Sequence, residues 1–285
     1  MAVIVIGGPT AVGKSSLALE IAKVWDAVIV SADAMTVYRG LDIGTAKPST
    51  TELENIKHYC INTRDIDEEY SVGEFVKDVD FVRREHPRVV IAGGTPYYLA
   101  ALLRPMAPLP EGRPEIRAKL EKEGQLHQRL AEVDPISAQR LHPNDKVRLI
   151  RALEVYEITG RPLSEVQRDP PIRKPLDAPF YWLSRDDLRP AIGQRIQKML
   201  QEGYLEECQR IISEGWSLDE KPLKSFAYRY FLQCAQGNIS LAEAVSLTEV
   251  GTWHLARKQK TWSRNMGWKP MSLLEAKTEI EKEIS

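Results

Sequence analysis

The feature that most constrains this chain is a short β-branched run, Val3-Ile4-Val5-Ile6, leading directly into Gly7-Gly8-Pro9-Thr10-Ala11-Val12-Gly13-Lys14-Ser15-Ser16. A strand followed by Gly-x-x-x-x-Gly-Lys-Ser and then a helix is a phosphate-binding loop. Gly8 and Gly13 let backbone N–H groups turn inward as an anion nest, and the helix from Lys14 adds its positive end. Lys14 supplies a mobile cation, and the Ser15 hydroxyl can hold Mg²⁺. The loop alone does not say whose phosphates it holds.

The first hundred residues alternate short apolar strands with helices. Strands are expected at 3–6, 27–31, 59–63 and 88–92, with helices from Lys14 to about Trp25 and from about Val72 to Arg84. This alternation implies an α/β fold with a parallel sheet covered on both faces, a P-loop NTPase-like core. Ligands gather at the carboxyl ends of such strands. Asp33, after the second strand, and Gly93-Gly94-Thr95, after the fourth, therefore belong beside the phosphate loop.

The pattern breaks at Pro105-Met106-Ala107-Pro108-Leu109-Pro110. About sixty charged residues without strand signals follow, until a second proline-rich run from Pro170 to Pro179. They read as an inserted all-helical module, containing Asn144-Asp145 before a helix that ends at Thr159-Gly160. A strand at 180–183 returns to the sheet. The expected division is a core at 1–107, an insertion at 108–179, and the rest of the core with a helical C-terminal region at 180–285. Ser240-Leu241-Ala242-Glu243 has the pattern of a capping box, and the last residues, from Glu275, are expected to fray.

The 285 residues carry 39 Lys and Arg against 40 Asp and Glu, so an RNA partner needs a local basic surface. The 3 cysteines are far apart and form no C-x-x-C pair, which argues against a disulfide framework or zinc site and for a reducing compartment. No charged leader or membrane-length apolar run is evident, so a cytoplasmic protein without a membrane partner is expected.

Asp33 is placed to accept a proton or to bind Mg²⁺ through water, though Asp also caps turns. An NTPase that hydrolyses its nucleotide usually adds an acid after an apolar strand to hold the metal. The fourth strand leads instead into Gly93-Gly94. Near the C-terminus, Trp253 to Arg264 interleaves basic and aromatic residues, with no acid from Gly251 through Met271. On a helix, Leu255, Trp262 and Met266 would share an inward face, and Arg257, Lys260 and Arg264 another. Such a basic face either follows a phosphate backbone or is simply solvated. Arg148 and Arg151 are open to the same two readings, and Arg229 is either a packing residue or an anion clamp.

The chain resembles the tRNA dimethylallyltransferases, also called tRNA isopentenyltransferases. The resemblance is carried by the phosphate loop, by Asp33-Ala34-Met35-Thr36-Val37-Tyr38-Arg39-Gly40-Leu41-Asp42-Ile43-Gly44-Thr45-Ala46-Lys47-Pro48, and by Gly93-Gly94-Thr95. It continues through His142-Pro143-Asn144-Asp145, Arg151 to Tyr156 with Thr159-Gly160, and Ala256-Arg257-Lys258-Gln259 with Thr261-Trp262. The resemblance implies transfer of a dimethylallyl group from dimethylallyl diphosphate to the exocyclic amine of the adenosine 3′ of a tRNA anticodon. The loop residues Gly8, Thr10, Ala11, Val12, Gly13, Lys14, Ser15 and Ser16 would hold diphosphate, with Mg²⁺ at Ser15. Asp33 would be the general base, and Lys14 and Arg229 would stabilise the leaving group.

The resemblance also places RNA at Asp33, Ala34, Met35, Thr36 and Thr95. The insertion, with Arg117, and the helix bearing Arg257, Lys258, Lys260 and Arg264 would grip the anticodon stem-loop around a flipped-out base. A monomer is expected. The chain departs from the family at Ala34, Thr36, Ala227, Tyr230 and Trp253-His254. Alternatives are an adenylate isopentenyltransferase acting on free AMP, ADP or ATP, a small-molecule kinase, and a silent RNA-binding protein. The insertion and the basic helix favour tRNA, because a mononucleotide needs neither.

Overall fold

The structure is a computed structural model and describes residues 2–285. Its contacts divide it into two units, one of residues up to Ala100 together with Asp177–Ser285, the other Ala101–Leu176. The sequence reading sets those boundaries at 108 and 179.

The first unit is built on six strands: β1 (Ala2–Gly7), β2 (Val28–Ser31), β3 (His58–Tyr59), β4 (Arg88–Gly93), β5 (Phe180–Leu183) and β6 (Pro270–Met271). They form one sheet in the order β3-β2-β4-β1-β5-β6, and each neighbouring pair is parallel. β1 sits between β4 and β5, with Val3 opposite Val89, Gly7 opposite Gly93 and Ile6 opposite Tyr181. A central parallel strand is covered on both faces, which is why β1 reads as an unbroken apolar run and is buried from Val3 to Gly7.

Helix α1 (Lys14–Trp25) turns Leu17, Ala18, Ile21 and Ala22 into the core. The short α2 (Thr50–Asn55) and α3 (Val72–Glu85) each start on a complete capping box, Ser49 with Glu52 and Ser71 with Glu74. α3 buries Phe75, Val76, Val79 and Val82, and α4 is Pro96–Leu103. The strand expected at 59–63 stops after Tyr59. Cys60 and Asn62 take left-handed backbone angles, φ 59° and 54°, which a strand cannot continue through.

The second unit is helical: α5 (Pro114–Lys122), α6 (Leu126–Val133), α7 (Pro135–Arg140), α8 (Lys146–Thr159) and α9 (Leu163–Val166). Its core gathers Leu120, Leu126, Leu130, Leu149 and Leu153, each burial contributing about 1.5–3 kcal/mol. α8 begins where Asp145 accepts the Arg148 N–H and ends at Gly160 in the left-handed conformation. The buried Asp134 carboxylate accepts N–H bonds from Ser137, in α7, and Ser164, in α9, at 3.0 and 2.9 Å.

The first unit closes with α10 (Arg189–Gln201), α11 (Tyr204–Ser213), α12 (Arg229–Ala235), α13 (Leu241–Asn265) and α14 (Leu273–Ile284). Ser240 caps α13 by accepting the Glu243 N–H, which is the forward half of the expected box. The expected fraying from Glu275 is not seen. Ser272 and Glu275 form a complete capping box, α14 buries Ala276 and Ile280, and Lys277 pairs with Glu20 of α1. Among the described residues no helix is long and apolar enough to cross a membrane.

Candidate active site

The carboxyl ends of β1, β2 and β4 open onto a cleft of about 1130 Å³ that lies wholly within the first unit. A second hollow, of about 280 Å³, is lined by Asp67, Glu68, Glu69, Asp219 and Glu220 with Lys221 as its cation, and this excess of carboxylates disfavours an anion.

The phosphate loop forms one wall of the cleft through Thr10, Ala11, Gly13, Lys14, Ser15 and Ser16. Gly13 has φ +102° at the N-cap of α1, and a Cβ there would lie 2.5 Å from a Leu273 methyl. No side chain caps α1, so its first-turn N–H groups are left for a ligand. Lys14 Nζ donates to Pro9 O at 2.7 Å. Its pKa is lowered to about 7, first by burial and second by the Arg195 charge, with Asp33 opposing both.

The second wall comes from the ends of β2 and β4. They approach so closely that a Cβ on Gly93 would lie 2.1 Å from Ala32 O, which only glycine avoids. Asp33 Oδ1 accepts the Met35 N–H at 2.9 Å, and Oδ2 makes no hydrogen bond among the described residues. Thr95 Oγ1 accepts the Ala34 N–H at 3.0 Å, tying the Asp33 turn to the end of β4. Thr36 is buried and its hydroxyl is spent internally, 2.9 Å from Ser31 Oγ. Asp33, Ala34, Met35, Thr36 and Thr95 all line the cleft.

The loop from Asp42 to Pro48 forms a third side. Glu207 of α11, a buried carboxylate, accepts N–H bonds from Asp42, Ile43 and Gly44 at 3.0, 2.8 and 3.1 Å and the Tyr228 hydroxyl at 2.7 Å. Lys47 tightens the loop from within by donating to Tyr38 O, Asp42 Oδ1 and Asn62 Oδ1.

α13 closes the site with Gln259. Its Oε1 accepts the Thr10 N–H at 3.0 Å, and its Nε2 donates to Gly94 O at 2.6 Å, so one side chain bridges the phosphate loop and the end of β4. The buried residues of α13 are Ala244, Thr248, Gly251, Ala256, Gln259 and Ser263. The expected inward face of Leu255, Trp262 and Met266 is therefore corrected. Leu255 is 39% exposed and lines the cleft, because only small side chains let this helix pack closely: a Cβ at Gly251 would meet Phe226 at 2.5 Å. Arg257, Lys258 and Arg264 are exposed, and Lys260 donates to Arg185 O. Trp253 carries two guanidinium groups near its ring, Arg189 at 4.1 Å and Arg257 at 4.8 Å.

Two expected residues lie elsewhere. Arg229 is the first residue of α12, whose apolar face buries Phe231 and Leu232 and turns position 229 outward. It is exposed, 5.7 Å from the Tyr230 ring, and is not among the residues lining the cleft. Arg117, in the second unit, spends its Nε on Glu154 at 2.9 Å. Arg151 likewise serves Glu154 and Pro110 O, and Arg148 pairs with Asp145. Sequence reasoning passed over Arg195, which lines the cleft, and the roles of Gln259 and Glu207. Gln259 stands in a quoted motif, whereas Arg195 and Glu207 look like ordinary charges on amphipathic helices.

A family model described as IPP transferase matches residues 36–266, a span that begins after the phosphate loop, α1, β2 and Asp33. A tRNA dimethylallyltransferase of Geobacter sulfurreducens is 38% identical over 92% of this chain and 88% of its own length. One of Trichlorobacter lovleyi is 40% identical, with 92% and 90% covered. A crystal structure of a tRNA isopentenylpyrophosphate transferase from Staphylococcus epidermidis aligns with TM-score 0.67 and 33% identity over 99% of this chain and 98% of that one. A eukaryotic dimethylallyltransferase acting on tRNA aligns at TM-score 0.81 and 25% identity, over 96% and 75%. Matched by that family model over residues 36–266 and by these relatives over nearly its whole length, the chain belongs to the IPP transferase family.

Proposed function

We propose that the chain transfers the dimethylallyl group of dimethylallyl diphosphate to the N6 amine of the adenosine 3′-adjacent to a tRNA anticodon, releasing diphosphate. The observation that carries this is the pairing, in one cleft, of an anion nest with a carboxylate whose Oδ2 has no partner. An adenine amine is a weak nucleophile because its lone pair is delocalised into the ring. Asp33, anchored through Oδ1 by the Met35 N–H, presents Oδ2 to accept the amine proton as the N–C bond forms. General-base help of this kind contributes about 10²- to 10⁴-fold in rate.

The departing diphosphate needs its growing charge met by fixed donors. The unpaired N–H groups at the start of α1 and the Lys14 ammonium supply them. Mg²⁺ fits the donors present: the exposed Ser15 hydroxyl lines the cleft with Asp33, and this cation needs only one or two protein oxygens beside phosphate oxygens and water. When bound, it neutralises part of the diphosphate charge. Ile192, Ile196, Phe226 and Leu255 line the same cleft and offer an apolar surface to the isoprenoid chain. The exposed Arg257, Lys258 and Arg264 suit the RNA backbone.

The test is transfer of radiolabelled dimethylallyl from its diphosphate, with Mg²⁺, to an unmodified anticodon stem-loop, with AMP as the parallel acceptor. Label in the stem-loop is expected. Label in AMP alone would move the assignment to free adenylates, and label in neither would overturn it.

A further inference from the structure

A helical threonine can return its hydroxyl to the carbonyl one turn back. Thr159 and Thr278 do so here, donating to Val155 O and Leu274 O at 2.7 and 3.0 Å. Thr248, on α13, does not. It is 3% exposed, and its hydroxyl has no partner among the described residues. The buried hydroxyls of Ser225 and Tyr204 are left in the same condition, and all three residues line the cleft. A hydroxyl withdrawn from water and left unpaired is costly, so three on one wall call for a ligand group that meets them.

The three are joined through their neighbours. Ser225 O accepts the Tyr228 N–H at 3.1 Å, and the Tyr228 ring centroid lies 5.9 Å from that of Tyr204. Phe226, next after Ser225, packs against α13 at Gly251, one turn from Thr248. The hydroxyls are interleaved with the apolar lining. Leu255 lies two turns beyond Thr248 on the same side of α13, and α10, which brings Ile192 and Ile196, meets α13 beside Thr248, where a Cβ on Gly193 would lie 3.2 Å from Glu249 Oε1. A pure hydrocarbon gives such a wall no hydrogen bond, and a phosphate is drawn instead to Lys14 at the other side of the cleft. A small apolar body carrying a hydroxyl meets both parts of the lining.

We propose that the cleft also takes a hydroxylated donor, a five-carbon allylic diphosphate with a hydroxyl on one terminal methyl, and that Thr248, Ser225 and Tyr204 are the residues that determine this specificity. This rests on the prenyl-transfer reading. In the step, the N6–C1 bond forms, the C1–O bond breaks with its electron pair leaving on the diphosphate, and the N6 proton goes to Asp33. The donor hydroxyl passes through unaltered, so the product is an adenosine bearing a hydroxylated prenyl group.

The experiment measures transfer to the unmodified anticodon stem-loop, with Mg²⁺, from dimethylallyl diphosphate and from its two isomers hydroxylated on one terminal methyl. Calorimetry without RNA gives the affinity of the full chain for each diphosphate. Wild type is expected to use the better hydroxylated isomer with a kcat/KM no lower than that for dimethylallyl diphosphate, and to bind it at least as tightly. Thr248→Val, Ser225→Ala and Tyr204→Phe each remove one hydroxyl, and each is expected to lower the hydroxylated-to-dimethylallyl ratio, in turnover and in affinity, by about tenfold. Thr63→Val is the control: its hydroxyl is also buried without a partner, but Thr63 does not line the cleft, and its ratio should match wild type. A merely structural role would lower both donors together and leave the ratio where it was. Should one cleft variant fail to fold, the other two carry the test. A wild type that binds both hydroxylated isomers more than about tenfold weaker, or a ratio unmoved in every cleft variant, overturns the proposal, the hydroxyls then serving bound water only. The prenyl-transfer reading fails separately: wild type would label no RNA from any donor while calorimetry still read the preference.

Discussion

Glu154 in the helical unit and Lys14 in the cleft are both charges drawn out of water, and the chain treats them in opposite ways. Glu154 is fully buried and saturated: it accepts from Arg117, Arg151 and the Arg113 N–H at 2.9, 2.5 and 2.7 Å. Burial works to raise its pKa, but these three donors together hold it below the usual carboxylate value. Lys14 has only the Pro9 carbonyl, faces a second cation, and falls to about 7. The first arrangement is complete within the protein. The second is complete only with an anion, so charges drawn out of water stabilise a fold in one place and reserve binding energy in the other.

The sharpest way to break this contrast is at Asp33. Asp33→Asn should slow single-turnover transfer to bound stem-loop by about 10²- to 10⁴-fold while leaving diphosphate binding close to wild type. Wild-type rates would remove Asp33 from the chemistry. Next comes stability. Glu154→Ala should lower the unfolding free energy of the full chain in urea by about 2–3 kcal/mol, somewhat less than a fully buried pair because the Arg117 and Arg151 side chains are 32% and 30% exposed. Lys14→Met should cost nothing or stabilise, while abolishing diphosphate binding; equal losses in both variants would erase the distinction.

Gln259→Ala strands the Thr10 N–H and the Gly94 carbonyl, at a cost of about 1–3 kcal/mol for each buried group that finds no water. It should raise the KM for the donor more than it lowers kcat, and an unchanged KM would deny the bridge any part in shaping the loop. The gentlest probe is pH. Lys14 in the free protein loses its proton as pH rises through about 7, whereas a bound anion requires the ammonium. Diphosphate affinity should therefore fall relative to Lys14→Arg by up to about tenfold per pH unit above that point, and parallel profiles would show that Lys14 stays charged throughout.

Much of this was legible because a few local patterns carry their own geometry. A strand, two spaced glycines and Lys-Ser predicted α1 from its first residue, and Phe180 to Leu183 read as the returning strand from its flanking prolines and apolar run. β6, two residues long, offers no pattern to find. The inward face of α13 departs from the sequence reading because hydrophobicity is a poor guide where a helix packs tightly against a neighbouring ring and only small side chains fit. Arg195 is hidden for another reason: in sequence it is one more charge on the amphipathic α10, and only the fold turns it to the cleft. Arg229 is the converse, assigned to the anion by resemblance and placed by α12 on an outward face.

The small-residue face of α13 sets a limit on how this protein can drift. Gly251 lies against the Phe226 ring, and Ala256 and Ser263 lie on the same buried face as Gln259. A larger side chain at any of them would push the helix outward, carrying Gln259 away from Thr10 and Gly94. Substitutions at positions that touch neither substrate would then appear as losses of turnover in a protein that still folds. Catalysis thus extends its constraint along a helix face, through spacing and with no chemistry of its own.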